Sequence, residues 1–504
     1  MANTATISRT HLVYGVCLPL AVLLGYLLSE PFELSSIAVV GLVFAILSTP
    51  LLIRWHHPLL IFSCNAFIYP YFLPGHPMLW MIAAALSFSI LALNRSLGQK
   101  VPFFQARSVA RSLIFLTIVV AVTAYVSGGI GLNIFGSRVV GSKRYFIIFL
   151  AVLAYFGFSC VHIKRKWAEL AVYTYFLSSL TALVGYFVAL AGPAFYFLVE
   201  LFPVQGAVSE ISSSSGLDLV NSQIIRYGGF SPIAMGLACL LFARYGARGL
   251  LDFTRPWRLL FLMVTLVMAM YSGFRSTVIS ILLILAILFY IEGLCRTRLF
   301  PILLLVGVFS CAAILPFASK LPLEAQRSLA FLPLNNLDPM ARQSAEASSD
   351  WRIQMWKEVL PTVPKYLIKG KGLALSQEDL DMLAQGESLG SGANYEGALI
   401  AGDYHSGPLS ILIPFGLFGV AGFVWFLWAS VKVLRQNRLY GDPSLHRLNT
   451  FLLAFFVARI LIYIFIFGAF ASDLLVFASL IGLSVSINGG VAQPPNPGAE
   501  PATE

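Results

Sequence analysis

A histidine stands between two polar residues at the point where a loop meets a long apolar segment. The stretch is GDYHSGPLSILIPFGLFG, residues 402–419, in which Asp403 precedes His405 and Ser406 follows it. Imidazole has an ordinary pKa of about 6.5, so His405 can accept a hydroxyl proton near neutral pH, and Asp403 can orient the ring. Taken alone, a histidine at a helix end is more often structural than catalytic.

Two arginines stand at the ends of other apolar segments. Arg275 lies in YSGFRSTVIS, in a very short turn between two such segments, and Arg226 lies in IIRYGGFSP, before two glycines that permit a ligand to approach the backbone closely. A guanidinium group binds phosphate through two parallel hydrogen bonds. For Arg275, snorkelling towards lipid headgroups is the alternative.

The longest polar stretch contains a third arginine on a predicted helix. In SSDWRIQMWKEVLPTVPKYLIKGKGL, Asp350 is the predicted N-cap, and Arg352 and Trp356, four residues apart, share one helix face. Two prolines end this helix, and the KGKG sequence that follows predicts a glycine-rich turn. A solvated amphipathic helix is the simpler interpretation of Trp356.

The elements that must position these groups are membrane helices. Of the 504 residues 58% are hydrophobic and 11% charged, and the mean hydropathy is +0.82, unlike the composition of a soluble domain. Continuous apolar segments long enough to cross a bilayer as helix recur along the chain, which excludes a strand barrel. We predict an all-α polytopic membrane protein with 12–14 transmembrane helices. The predicted spans, of which the short ones could also be re-entrant or merged with a neighbour, are 11–29, 35–53, 58–73, 77–94, 112–131, 145–162, 168–190, 230–243, 259–272, 277–294, 299–317, 408–430, 450–467 and 472–488.

The charge pattern predicts the orientation of the spans. With a cytoplasmic N-terminus, the inside loops collect most of the Lys and Arg residues, and the outside loops collect most of the acidic ones, as the positive-inside rule requires. One loop departs from the rule, because GSRVVGSKRY carries Arg138, Lys143 and Arg144 on the outer side. The pI of about 9.3 thus reflects topology and not nucleic-acid binding.

The polar segments divide the chain into five regions. They are N-terminal helices at 1–190, central helices at 191–317 with an outer loop at 191–229, a large outer loop at 318–407, C-terminal helices at 408–488 and a disordered cytoplasmic tail at 489–504. The first span has no convincing cleavage site and is read as a retained helix.

Other residues that can do chemistry have structural interpretations. The six cysteines lie in or beside apolar spans without a CxxC pair, so neither a disulfide framework nor a zinc site is expected. The acidic run Glu378, Asp379 and Asp381 is read as a solvated loop face, because no histidine accompanies it. Arg459, deep in an apolar span, is expected to pair within the helix bundle, with Asp473 as one candidate partner.

The spacing after His405 resembles a known family. His405-Ser406, nine residues, Gly416, two residues and Gly419 is similar to the motif of the O-antigen ligase family. The wider ligase and polymerase superfamily also has an arginine after a small-residue turn, here SGFRST, an Arg-x3-Trp helix followed by Gly-x-Gly, and a segment like RYGGFSP. The likeness covers about residues 220–430. One departure is Ile279, where the family's Arg-x3-Leu pattern has leucine.

The resemblance implies a metal-independent, GT-C-like glycosyltransferase without a cofactor, in the inner membrane of a bacterium with its active site facing the periplasm. The donor would be a glycan on undecaprenyl diphosphate, and the acceptor a hydroxyl of lipid A-core. Arg275, Arg226 and Arg352 would neutralise the departing diphosphate, and His405 would take or position the acceptor proton. Asp403, Ser406 and Trp356 would support the site, with Gly416 and Gly419 as helix-packing positions beneath it.

Three other functions remain open. A polysaccharide polymerase uses the same donor and transfers to another lipid-linked glycan, and a protein O-oligosaccharyltransferase transfers to a protein. A transporter or flippase would use interior arginines to guide an anionic substrate, but such proteins show internal repeats of helix pattern, which this sequence lacks.

Overall fold

A computed structural model of the protein describes residues 34–71, 73, 75–127, 142–195, 197–203, 227–332, 336–375 and 402–494, with isolated positions between 14 and 25. These residues form helices and turns and no β-strand, so the predicted all-α class is confirmed. The chain divides into two compact units, residues 1–56 and residues 57–504. The candidate site lies in the second unit.

Seventeen helices are named here in chain order from the described residues. They are α1 Leu34–Ser63, α2 Leu79–Ser96, α3 Arg107–Ser127, α4 Ser142–Ser159, α5 Arg165–Leu177, α6 Ala182–Ala191, α7 Phe197–Leu201, α8 Phe230–Leu250, α9 Trp257–Tyr271, α10 Arg275–Ile291, α11 Leu299–Ile314, α12 Leu323–Leu329, α13 Pro339–Val359, α14 Val363–Tyr366, α15 Gly407–Tyr440, α16 His446–Phe465 and α17 Phe470–Asn488.

The long helices are suited to crossing a membrane. Within the described residues, seven segments have sufficient length and hydropathy: α2, α3, the continuous run from α5 into α6, α8, α15, the run ending in α16, and α17. Shorter apolar helices occur at α9, α10 and in α11. The protein is a polytopic membrane protein. The number of 12–14 spans stays a prediction, because this count covers only the described part of the chain.

One pair of predicted spans forms a single helix. The sequence Arg-Trp-His-His at 54–57 predicted a break between spans 35–53 and 58–73, but α1 continues through these residues to Ser63. That prediction is wrong because a polar side chain does not by itself interrupt backbone hydrogen bonding along a helix. His56 and His57 are buried within the helix, and the chain leaves it only at Cys64.

The core of the second unit is built around the C-terminal helices. α17 packs most extensively against α4, α15 packs against α3 and α16, and α10 packs against α16. Close contact depends on small residues, since a Cβ on Gly482 of α17 would come within 2.7 Å of the Phe158 side chain. The loops that these helices support therefore start from a rigid, tightly packed base.

Loops predicted to lie on the same side of the membrane do meet in the structure. At one end, Glu292 accepts hydrogen bonds from the amides of Ala247 and Arg248, and Arg438 donates to the carbonyl of Ile291. Ala247, Arg248 and Arg438 belong to loops predicted inside, and Ile291 and Glu292 lie at the adjoining end of the predicted span 277–294. The opposite end, called the outer end below, carries Ser127, Arg144, Arg275, His405 and Asp473.

The large outer loop contains helices of its own. α12, α13 and α14 lie within 318–375, and α13 begins twelve residues earlier than the sequence predicted. Its N-cap is Asp338, whose carboxylate accepts from the amide of Met340 at 2.8 Å, with Pro339 at the first position. The prediction of Asp350 as the N-cap is therefore wrong, and Asp350 lies inside the helix.

Candidate functional site

His405 lies in the turn that leads into α15 and has a backbone conformation that is uncommon for residues other than glycine. Its φ is +46°, a left-handed value that non-glycine residues seldom adopt outside constrained sites. Its amide donates to Oδ1 of Asp403 at 3.3 Å, and its Nε2 lies 3.8 Å from Asp403 Oδ2. The distance of 3.8 Å is too long for a hydrogen bond, so the Asp403 carboxylate acts on the imidazole ring only through its charge. Asp403 thus lies beside His405, and its role in orienting the ring stays a prediction.

Two aromatic rings enclose the imidazole. Trp351 meets it edge-on with ring centroids 5.0 Å apart, and Phe467 lies at 5.2 Å. Burial between these rings is the largest influence and lowers the pKa of His405; the charge of Arg352 lowers it further, whereas Asp403 raises it. His405 is thus neutral at pH 7, which is the form that accepts a proton. Its Nδ1 is buried and has no hydrogen-bond partner in the described part of the chain.

One face of α13 carries Arg352 and contacts both Arg275 and the turn that holds His405. Ser349, Arg352 and Trp356 follow one another at helical spacing. The Ser349 hydroxyl accepts from Nη2 of Arg275 at 2.7 Å, and the Trp356 indole donates to the carbonyl of Tyr404 at 2.8 Å. Trp356 therefore fixes the turn that holds His405, and the interpretation of this residue as a merely solvated side chain is wrong.

Arg352 lies between these contacts. Its guanidinium is 6.0 Å from the centre of the Phe467 ring, the same ring that packs on His405, and its charge acts on His405. Arg275, Arg352, Asp403 and His405, which are separated along the chain, thus converge at the outer end. Arg226 lies outside the described residues.

The segment after Arg226 reaches the first turn of α10. Ser231 and Thr277 share a hydrogen bond of 2.6 Å between their hydroxyls. Gly229, one of the two glycines predicted to admit a ligand, instead packs on Tyr186, since a Cβ there would come within 2.3 Å of the ring. Its amide donates to the Tyr186 hydroxyl at 2.8 Å. Close packing against Tyr186 therefore explains why a glycine occupies position 229.

The first of the two motif glycines, Gly416, breaks α15 below His405. Gly416 has a φ of +62° and ψ of −164°, so the helix is interrupted between Pro414 and Leu417. The chain of the KGKG turn fills the interruption: the amides of Lys371 and Gly372 donate to the carbonyls of Ile413 and Pro414 at 2.8 and 3.0 Å. The amide of Leu417 donates to Leu367 at 2.7 Å.

This docking corrects the role expected for the glycines. Gly416 was predicted as a helix-packing position, but it is the residue that allows the break, and a Cβ there would lie 2.5 Å from the Leu367 carbonyl. A Cβ on Gly419 would lie 2.4 Å from that of Phe415, so this glycine accommodates the chain just above it. The motif around His405 and the Arg-x3-Trp and KGKG motif are therefore two halves of one structural unit.

The break predicts a strong effect of Gly416→Ala. An alanine must adopt the left-handed conformation and displace the Leu367 carbonyl, which costs about 1–3 kcal/mol for the backbone alone. We expect a lower Tm of the purified protein in detergent and a weakened site. Gly307→Ala is the control, because a Cβ at Gly307 meets nothing within 4 Å. Equal Tm values for both variants would contradict the assigned role.

Ser406 occupies the N-cap position of α15 without capping it through its hydroxyl. Its φ is −140°, no side-chain hydrogen bond caps the helix, and its carbonyl accepts the amide of Ser410 at 2.9 Å. The following Gly407 packs on Tyr463, whose hydroxyl donates to the Gly407 carbonyl at 2.6 Å. Ser406 thus stays a predicted supporting residue.

Arg144 is a site residue that the sequence reasoning did not select. It lies in the first turn of α4, half-buried, and Asp403 and Tyr404 are the groups whose charges act on it. One of its terminal nitrogens lies 3.5 Å from the place where a Cβ on Gly402 would be. The sequence feature that could have indicated Arg144 was its loop, which is the one loop that departs from the positive-inside rule.

A second missed arginine supports the turn that carries Arg275. Arg327 of α12 is buried, and its guanidinium donates to the carbonyl of Gly273 at 3.4 Å. The adjacent Ser328 hydroxyl donates to the carbonyl of Met270 at 2.7 Å. α12 thus holds the end of α9 and the Arg275 turn in place. Nothing in the local sequence distinguishes Arg327 from other loop arginines.

Arg459 pairs with the residue named as its candidate partner. Its guanidinium lies 2.5 Å from Oδ1 of Asp473, which is 1% exposed, and the other carboxylate oxygen accepts the amide of Ala469 at 2.8 Å. The pair joins the outer ends of α16 and α17. Arg459 is therefore an interhelix residue, as expected.

The described residues hold no group of three or more His, Cys, Asp or Glu side chains placed to bind a metal ion. Glu378, Asp379 and Asp381 lie outside the described residues. Arg275, Arg352 and Arg144 bring positive charge to α13 and to the turn that holds His405.

The fold and the site define a class: a helical membrane protein with a neutral histidine and several arginines at one end of its bundle. Residues 259–424 match the family model described as O-Antigen ligase. This match confirms the predicted resemblance to the O-antigen ligase family over that segment, which contains Arg275, Arg352 and His405. A comparison with curated proteins found no match to the chain. The matched domain supports glycan transfer of the ligase or polymerase kind.

Proposed function

We propose that the protein transfers a glycan from undecaprenyl diphosphate to a hydroxyl of lipid A-core, or of a similar acceptor, at the periplasmic face of the bacterial inner membrane. The observation that carries the proposal is the convergence of a neutral histidine with arginines that one helix, α13, ties together. Lipid-linked donors enter from the membrane, which is why such a site belongs at the outer end of the helices.

The proposed reaction is a displacement at the anomeric carbon. The acceptor oxygen forms a bond to that carbon while the bond from carbon to the diphosphate oxygen breaks, and both bonding electrons leave with the diphosphate. His405 takes the proton of the acceptor hydroxyl, and Asp403 stabilises the imidazolium that forms. Arg275 and Arg352, together with Arg226, bind the diphosphate as its negative charge grows.

The cations give a reason to expect metal independence. Two or three guanidinium groups supply the positive charge that a divalent ion supplies in other glycosyltransferases. We expect that transfer persists undiminished after treatment with EDTA and dialysis into metal-free buffer. Loss of activity that returns on addition of Mg²⁺ or Mn²⁺ would contradict this part of the proposal.

The pH dependence of transfer follows from the lowered pKa of His405. A base acts when neutral, so kcat/KM should be constant near pH 7 and fall only as the pH drops below about 6.5, through the lowered pKa. In Arg352→Met a cation that lowers this pKa is gone, so the acidic decline should move to higher pH. In Asp403→Asn it should move to lower pH. Shifts in the same direction for both variants would contradict the assignment of His405 as the base.

A transfer assay identifies the acceptor. Purified protein is incubated with lipid-linked glycan as the donor, and the products are analysed. Offered together with lipid A-core, the proposed ligase attaches the glycan to lipid A-core. A polymerase makes longer lipid-linked chains and leaves lipid A-core unmodified, and a protein O-oligosaccharyltransferase modifies an added acceptor protein. A flippase transfers nothing, but moves the labelled lipid-linked glycan between the leaflets of proteoliposomes.

A further inference from the structure

The docked KGKG segment combines exposed apolar and cationic side chains. From Leu360 to Leu373 the chain carries Lys365, Lys369 and Lys371 and no acidic residue. All three lysines are exposed, and so is Ile368, at 77% of its surface. This surface, the Leu360–Leu373 segment, is called the foot below. Its backbone is fixed to α15, so its side chains are exposed on a rigid support.

The apolar part of the foot continues into the lipid-facing surface of α15. The Leu417 amide donates to the Leu367 carbonyl, and the Ile368 carbonyl lies near Gly416, so the backbone of Ile368 packs on the part of α15 that carries the exposed Leu417 and Phe418. Exposed apolar residues then follow along α15 as far as Trp428, and the first exposed cations at the other end of the helix are Lys432 and Arg435. The foot is therefore one end of an apolar band.

The length of this band matches a bilayer. Lys371 is bonded to Ile413, and Ile413 and Lys432 are about 19 residues apart, hence about 28 Å along a helix. A hydrocarbon core is about 30 Å thick. α3 gives the same level independently, because Gly372 packs on Ser127, the last residue of this apolar span, and Arg107 begins it. The foot thus lies where hydrocarbon gives way to headgroups.

We propose that the foot is a phospholipid-binding surface, in which Ile368 enters the upper acyl region and Lys365, Lys369 and Lys371 contact the phosphates of anionic headgroups. The foot also sets the height of the site. α15 begins at Gly407, six residues beyond Ile413, so the turn that holds His405 stands at least about 9 Å above Ile413. A headgroup layer is about 5–8 Å thick on each side, so His405 lies at or beyond its outer side. There it meets the glycan part of a lipid-linked substrate and not its acyl or polyprenyl chains.

A depth measurement tests the position of the foot in the intact protein. Ile368→Cys, in a chain with Cys17→Ser and Cys295→Ser, is labelled with a fluorophore and reconstituted in vesicles of phosphatidylcholine and phosphatidylglycerol. Nitroxides on the headgroup or upper acyl chain should quench it at least about twofold more strongly than a nitroxide near the chain end, because the foot lies at the boundary. Equal quenching at all depths, or quenching only by a soluble nitroxide, would overturn the proposal.

The lysines are tested by the phospholipid retained in native mass spectrometry. The full-length variant Lys365→Gln/Lys369→Gln/Lys371→Gln should bind phosphatidylglycerol about tenfold or more weakly than the parent, with phosphatidylcholine unaffected. The control Lys320→Gln/Lys357→Gln removes two other exposed lysines of the outer loop and should bind normally. Equal loss in both variants, or displacement of the lipid by inorganic phosphate alone, would show a nonspecific or soluble-anion site and overturn the headgroup assignment.

Discussion

Replacing His405 with glutamine should lower the rate of glycan transfer by about 10²- to 10⁴-fold, the usual contribution of a positioned general base. Glutamine keeps the size of the side chain and its capacity for hydrogen bonds but does not accept a proton. The donor should still bind, because the arginines that contact the diphosphate are untouched. Single-turnover transfer from labelled lipid-linked glycan, together with donor binding, measures the two effects separately.

The matched control for this substitution is His446→Gln. His446 is exposed at the end of the protein opposite to the site, where its Nδ1 lies 3.2 Å from the carbonyl of Arg438. We expect its transfer rate to equal that of the parent protein. If His405→Gln transfers glycan at the full rate, His405 is not the general base. Its role is then structural, which its left-handed backbone conformation also allows.

Replacing Arg275 with methionine should reduce transfer by about 10²- to 10³-fold, as expected when a preorganised group that stabilises developing charge is removed. Arg275→Lys should also be impaired, because an ammonium group keeps the charge but cannot form the two-pronged contact with a phosphate. In contrast to His405→Gln, the methionine variant should also bind the donor more weakly. Initial rates at several donor concentrations separate these effects.

Two further variants define what Arg275 does. Arg296→Met removes an exposed arginine at the other end of α10 and should not change transfer. Ser349→Ala keeps the cation but removes the 2.7 Å hydrogen bond that orients it, so a loss of only a few-fold is expected, within the usual 0.5–1.5 kcal/mol of one hydrogen bond. If Arg275→Met transfers glycan at an unchanged rate, Arg275 does not bind the diphosphate. Its side chain then only snorkels towards the lipid headgroups, as its position at a helix end allows.

The sequence predicted much of the site because its residues stand where helices begin. The outer positions of Arg275 and His405 followed from the alternation of apolar spans, and the same pattern placed Arg459 and Asp473 on adjacent helices. Arg352 and Trp356 were placed on one helix face by their spacing alone. These are local properties, since helical periodicity and the cost of burying a charge in lipid act on each segment separately.

Other residues could not be placed in that way. The contacts of Ser349 with Arg275 and of Arg327 with Gly273 could not be predicted from the sequence, because they depend on how the loop helices pack on the bundle. It misplaced the start of α13, since Asp338 and Asp350 are both acceptable caps and only packing selects between them. It also divided α1, because a polar residue inside a helix is tolerated wherever the surrounding packing accommodates it.

The sequence by itself determined that this protein is a helical membrane protein, that arginines and a histidine stand at the ends of its apolar segments, and that the spacing after His405 resembles the O-antigen ligase family. Only the tertiary structure decided why that spacing exists. Gly416 breaks α15 so that Lys371 and Gly372 can satisfy the freed carbonyls, and this joins two motifs far apart in the chain. The reason is physical: a broken helix leaves polar backbone groups in an apolar environment, and a distant segment must supply their partners.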